Sequence, residues 1–282
     1  MLGCCVPERI FEHLAQKQNG LQALRLVTSS SCRPKRTWEQ TLDLSKFKSL
    51  RVLQWQDFST DGHFDALHGA LEANAEHLVN IRLDKCKDFY AERILTLSEG
   101  QETVKFPALK SLFLSSMAFD EYLSEMIYAF NICSLTSLTL RQCDGTIHFL
   151  EEIMNSGHEV SLTALEIENT DTPGMLATVN WFLTRCHGLK DLFVSTLASH
   201  DQDQASMTFL NTLYDHRSTL RRLVLHQKYD TGIFPGDRDK LHDFTSISFE
   251  EQDFLHLESN RGIYSELKLE CIGLSMATDL AV

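Results

Sequence analysis

Leu135-Thr-Ser-Leu138-Thr-Leu140, Leu162-Thr-Ala-Leu165-Glu-Ile167 and Leu189-Lys-Asp-Leu192-Phe-Val194 share one spacing, large apolar residues at positions one, four and six of a unit. Strand side chains alternate, so positions four and six of such a unit face one side and position five the other. The pattern extends outward in both directions. Upstream lie Leu21-Leu24-Leu26, Leu50-Leu53-Trp55, Leu78-Ile81-Leu83 and Leu109-Leu112-Leu114; downstream lie Leu220-Leu223-Leu225, Phe244-Ile247-Phe249 and Leu269-Ile272-Leu274. Ten units result, beginning near residues 21, 50, 78, 109, 135, 162, 189, 220, 244 and 269. One unit is weak, because leucine is common; many in near-register are not chance. One such strand cannot bury its own apolar face, so neighbouring units must stack and pair in parallel.

Parallel neighbours need a crossover, usually a helix. The intervening segments carry helical spacing: Phe64, Leu67 and Leu71; Leu123, Met126, Ile127 and Phe130; Leu176, Val179 and Leu183; Leu210, Leu213 and Tyr214. Strand and helix therefore alternate about once per 27 residues, the period of a repeat array. The expected fold is an α/β solenoid, one domain over residues 1–282, whose wider helices curve the stack and leave the sheet on the concave side.

Period and spacing together resemble the leucine-rich repeats. In that consensus the ninth position is Asn or Cys, and Cys86 and Cys143 fall on it. Their side chains should satisfy backbone groups where the chain leaves the strand. Cys133 and Cys186 stand just before the first leucine of their units. These residues resemble the cysteine-containing repeats of F-box proteins, over roughly residues 20 to 277. Phe58, Met117, Thr170 and Leu197 at other ninth positions depart from that class. The resemblance implies a protein that presents substrates to a cullin-based ubiquitin ligase, docked through an N-terminal F-box of some forty residues. With units beginning by Leu21 the sequence leaves no room for an F-box, so Val6–Leu14 is read as a helix before the first strand. The chain is expected to be an F-box-less fragment, isoform or relative, with no polar capping repeat after Leu274.

Outward positions would form the binding surface. Arg25, Arg82 and Arg141 read as one basic column at the fifth position. Glu166, Glu168 and Asp191 read as an acidic group, Phe113 and Phe193 as exposed aromatics, and Val224 with His226 as their continuation. Glu250 and Glu251 would make the far end acidic. Exposed aromatics beside charges of fixed sign suit a protein partner; a solvated sheet face with scattered apolar residues is the plainer alternative. The stretches Leu197–Ala205 and Gln227–Lys240 read as loops that could add contacts.

The net charge is −13, which disfavours phosphate backbones and anionic membranes and suits a basic partner. No stretch resembles a transmembrane segment or signal peptide, and the eight cysteines form no C-x-x-C pair, so a reducing cytoplasmic or nuclear setting is expected. Catalytic, metal and cofactor motifs are not found. Gly232–Lys240 has the wrong spacing for a phosphate loop. His148-Phe-Leu-Glu-Glu152 misses the H-x-x-E-H metal pattern and reads as an amphipathic helix. Ser199-His200-Asp201 is adjacent in sequence, which is not how a triad assembles. The expected function is a non-enzymatic interaction scaffold, whether a ligase substrate receptor or a ribonuclease-inhibitor-like or signalling regulator without a ligase.

Overall fold

The computed structural model describes residues 13–14, 16–18, 20–28, 43–58, 60–84, 105–119, 123–157, 159–169, 172, 174–198, 203–229 and 266–275. The chain divides into two compact units, Met1–Val160 and Ser161–Val282.

The first unit holds β1 (Ala23–Val27), β2 (Val52–Gln56), α1 (Asp61–Asn74), β3 (Asn80–Asp84), β4 (Ser111–Ser115), α2 (Leu123–Ala129), β5 (Ser137–Arg141) and α3 (Thr146–Asn155). Its strands pair in parallel and strictly in chain order, β1 to β5. The register follows the sequence pattern. Leu24, Leu53, Ile81, Leu112 and Leu138 align as one column of fourth positions, and Leu26, Trp55, Leu83, Leu114 and Leu140 as the column of sixth positions. Every residue of both columns is buried, as are the first-position residues Leu50, Leu78, Leu109 and Leu135. Removing such a side chain, as in Leu112→Ala, costs about 2–5 kcal/mol.

Helix α1 starts where Thr60 caps it, the hydroxyl accepting from His63 N at 3.3 Å, and Asp61 adds negative charge to its first turn. Phe64, Leu67, Ala70 and Leu71 form its buried face. Aromatic rings fill the space between helices and sheet: Phe58 packs on Trp55 at 5.6 Å and on Phe64 at 5.2 Å, and Phe119 stacks on Phe149 at 4.7 Å. Asn74, at the end of α1, is buried and fully used. Its amide donates to the Phe47 and Ala70 carbonyls at 2.6 and 2.8 Å and accepts from Leu50 N at 2.7 Å. It thereby fixes the segment that leads into β2.

In three repeats of this unit the eighth residue, Asp57, Ser116 or Gln142, is left-handed, with φ of 61°, 55° and 49°. That turn ends the strand after position seven and drives the ninth residue inward, where Phe58, Met117 and Cys143 are buried. Gly145, two residues after Cys143, also has positive φ, and a Cβ there would lie 2.2 Å from the Phe119 carbonyl oxygen. Only glycine allows that approach, because Phe119 N donates to Asp144 O in the same contact.

The second unit holds β6 (Ala164–Asn169), α4 (Met175–Leu183), β7 (Asp191–Ala198), α5 (Asp203–Asp215), β8 (Arg222–Tyr229) and β9 (Cys271–Ser275). These strands also pair in parallel and in chain order. They run past position seven: Asn169 and Thr196 stay extended at position eight, registered against each other and buried. The ladder between β7 and β8 continues through Leu197↔Lys228 and Ala198↔Tyr229. Leu197–Ala198 and Gln227–Tyr229 are therefore strand, not the loop expected, because each long strand supplies the other's backbone partners. Asp203–Ala205 likewise begins α5.

Nine of the ten expected units show a strand among the described residues. β8 has β7 on one edge and β9 on the other, with Leu223 opposite Ile272. Phe244-Ile247-Phe249, the expected ninth unit, lies outside the described residues. So do Cys86, Ser199-His200-Asp201, residues 230–240 and Glu250–Glu251, and most of Val6–Leu14. The helices expected around Phe64–Leu71, Leu123–Phe130, Leu176–Leu183 and Leu210–Tyr214 are present between parallel strands, an alternation compatible with a repeat solenoid.

Candidate functional site

Residues at the same position of successive repeats become nearest neighbours, since paired strands lie about 4.8 Å apart. This rule places the outward side chains of each unit.

In the first unit, position five runs Arg25, Gln54, Arg82, Phe113, Thr139. Arg141 is not in this column. It stands opposite Ser115, at position seven, so the expected three-arginine column is corrected: two arginines share it, and the third lies two residues farther along its strand. The arginines nevertheless converge. The Arg82 guanidinium carbon sits 3.7 Å from the centre of the Phe113 ring and that of Arg141 sits 5.4 Å from it. Phe113 is consequently only 8% exposed, a correction to the exposed aromatic expected from its position. Long arginine side chains folded over the ring provide the cover, and such cation–π contacts contribute about 0.5–2 kcal/mol each. Arg82 also donates from Nη2 to Asp84 Oδ2 at 3.4 Å. Around them stand Ser111, Ser115, Ser137 and Thr139, small and neutral.

In the second unit, Glu166, Phe193 and Val224 align at position five, and Glu168, Ser195 and His226 at position seven. Ser195 Oγ and His226 Nδ1 are 2.8 Å apart and hydrogen-bonded. Phe193 is partly exposed, as expected. Asp191 is not an uncompensated acid: Arg222 grips it with two bonds, Nε to Oδ1 at 2.5 Å and a terminal nitrogen to Oδ2 at 2.7 Å. Both stand at position three of consecutive repeats, so their approach follows from aligning the repeats. The bond to Asp191 raises the Arg222 pKa further above its ordinary value.

The cysteines are structural in their contacts. Cys143 Sγ donates toward the Leu114 and Arg141 carbonyls at 3.6 and 3.4 Å, the role expected of a ninth-position side chain. Burial pushes its thiol up to about 12. Cys186, buried and 3.6 Å from the Phe182 carbonyl, is also pushed by burial to about 12. Thiolates are the reactive form, so neither is poised as a nucleophile. His148 and Glu151 pair at 3.3 Å on the exposed side of α3, in the amphipathic helix expected there. Among the described residues no group of three or more His, Cys, Asp or Glu could hold a metal, and no helix is long and apolar enough to cross a membrane.

No family model matches this chain, and no curated protein matches it.

Proposed function

We propose that this chain is a leucine-rich-repeat solenoid that works as a non-enzymatic protein-binding module, using the outward faces of its sheets. The observation that carries this reading is the Arg82–Phe113–Arg141 cluster. A phenyl ring on the outward side of a sheet, with two guanidiniums drawn over it, contributes nothing to the core beneath. It is the arginine-and-aromatic composition found where protein interfaces concentrate their energy. The face of the second unit, with Glu166, Glu168, Phe193 and His226, suits a basic segment of a partner. The net charge of −13 favours a protein over nucleic acid or an anionic membrane. The setting we propose is substrate presentation to a cullin-type ubiquitin ligase, supported by the resemblance of the cysteine-bearing repeats. Regulation without a ligase is the alternative, and co-purification of the ligase adaptor separates the two.

The test is affinity capture from cell extract with wild type and the triple variant Arg82→Glu, Phe113→Ala, Arg141→Glu. A partner retained by wild type and lost from the folded variant supports the reading. Identical partners on both would refute use of this face.

A further inference from the structure

We propose that Ser218 is a phosphorylation site and that Arg221 holds the phosphate placed on it. The site lies in the second unit and does not depend on the binding reading above. The first argument is access. Helix α5 ends at Asp215, and residues 216–219 form the turn that leads into β8. Ser218 is exposed in that turn, and its hydroxyl bonds no group among the described residues. The neighbouring hydroxyl is engaged: Thr219 Oγ1 donates to the His216 carbonyl at 3.3 Å, and Thr219 N donates to the same oxygen at 2.9 Å. An attacking oxygen must align with the phosphorus and its leaving group, so Ser218 is the better placed of the two.

The second argument is charge. The chain carries −13, a field that repels a polyanionic phosphoryl donor over most of the surface. The turn is an exception. The segment from His216 to Arg222 holds Arg217, Arg221 and Arg222 and no acid. Lys190 stands beside Arg221 on the neighbouring strand, where Arg221 N donates to the Lys190 carbonyl at 2.8 Å, and Lys190 is exposed. The nearby acids are Asp191, which Arg222 grips, and Asp215 at the end of α5. A kinase with an acidic peptide groove is attracted to such a segment.

The third argument is what meets the phosphate. Arg221 Nη2 donates to the carbonyl of Ser218 itself at 3.0 Å, and Nη1 donates to the Leu220 carbonyl at 3.0 Å. Only the Oγ–Cβ–Cα–C–O path separates that carbonyl oxygen from the Ser218 hydroxyl, so a phosphate on Oγ comes within reach of the same guanidinium. A guanidinium bonds a phosphate more strongly than a neutral carbonyl. Arg217 is anchored on Tyr214, with Nη1 3.0 Å from its carbonyl oxygen and the guanidinium carbon 4.2 Å from its ring centre, and contributes positive charge alongside. In the transfer, Ser218 Oγ attacks the γ-phosphorus of Mg²⁺-bound ATP. The new O–P bond forms as the bond to the bridging oxygen breaks, ADP leaves, and the hydroxyl proton passes to the kinase's catalytic base.

The experiment incubates the folded full chain with Mg²⁺-ATP and a serine/threonine kinase selective for basic substrates. Peptide mass spectrometry locates the phosphate, and phosphorus NMR follows its titration. Phosphate on Ser218 rather than Thr219 is expected, and Ser218→Ala should abolish it while leaving the melting temperature unchanged. The Ser218 phosphate should titrate at about pH 5.5, below its ordinary value of about 6, because a guanidinium at hand favours the dianion. Arg221→Gln should slow the phosphorylation by about fivefold, the scale of one partly exposed charge pair, and return the midpoint to about 6. No phosphate on Ser218, a preference for Thr219, or a midpoint that Arg221→Gln does not move overturns the inference.

Discussion

Asn74→Ala should destabilise the first unit by about 4 kcal/mol, because two buried groups each lose their partner at about 1–3 kcal/mol apiece. The count comes from the geometry. Leu50 N loses the Oδ1 acceptor at 2.7 Å, and Phe47 O loses the Nδ2 donor at 2.6 Å. The Ala70 oxygen keeps its ordinary helical partner and adds little. Leu50 is fully buried. Urea unfolding followed by the fluorescence of Trp55, buried in the same unit, reports the loss. A Trp38→Phe, Trp181→Phe background isolates that signal, since the chain has three tryptophans. Asn74→Asp sharpens the test. It keeps an acceptor for Leu50 N but sets a second oxygen against Phe47 O, so burial and repulsion raise its folded-state pKa. Stability relative to the parent should then be recovered toward and below the unfolded carboxyl value, about 3.9, and lost as pH rises. An Asn74→Ala variant within 1 kcal/mol of the parent, with the same denaturant slope, would refute the claim that this amide holds the segment.

Ser116→Gly should stabilise by about 0.5–1 kcal/mol, since it relieves a left-handed residue at φ 55°, and thermal unfolding checks it. Gly145→Ala should cost about 3 kcal/mol or more, as its Cβ meets backbone at 2.2 Å, and should show as a large fall in melting temperature. Cys143 should resist alkylation in the native protein up to pH 9, while exposed Cys271 reacts, as read by mass spectrometry of labelled peptides. Burial lowers the pKa of His216, whose Nε2 lies 3.1 Å from the Leu183 carbonyl. A depressed folded-state value means its contribution is intact above the unfolded value of about 6.5 and is lost as pH falls through the folded one. His216→Gln should therefore flatten the fall in stability measured between pH 7 and 5.

The core was legible in the sequence because it is periodic. Leu53, Ile81 and Leu112 announce themselves by spacing, and their register follows from stacking identical units. Helices at Phe64–Leu71 and Met175–Leu183 were legible for the same reason. Periodicity reports which face a residue occupies but not how far its side chain reaches. Position five put Phe113 on the outward side correctly, yet nothing in that count says that Arg82 would fold over it. Asp191 and Arg222 required comparing equal positions in consecutive repeats, a step beyond reading each repeat alone. Asn74 gave no signal at all, since its partners are backbone groups of a distant segment.

The left-handed eighth residue gives the first unit a standard joint. Asp57, Ser116 and Gln142 each redirect the backbone at the same point, after strands of the same length. Segments cut at that joint leave and rejoin the array in matching directions. These three repeats should thus be exchangeable or duplicable when the splice falls between positions seven and eight, with little new strain. The repeats that begin at Leu162 and Leu189, whose strands continue through Asn169 and Thr196, lack the joint. A gene that grew or shrank by unequal crossing-over would find the first kind of boundary forgiving and the second not, and a designer lengthening the array inherits the same rule.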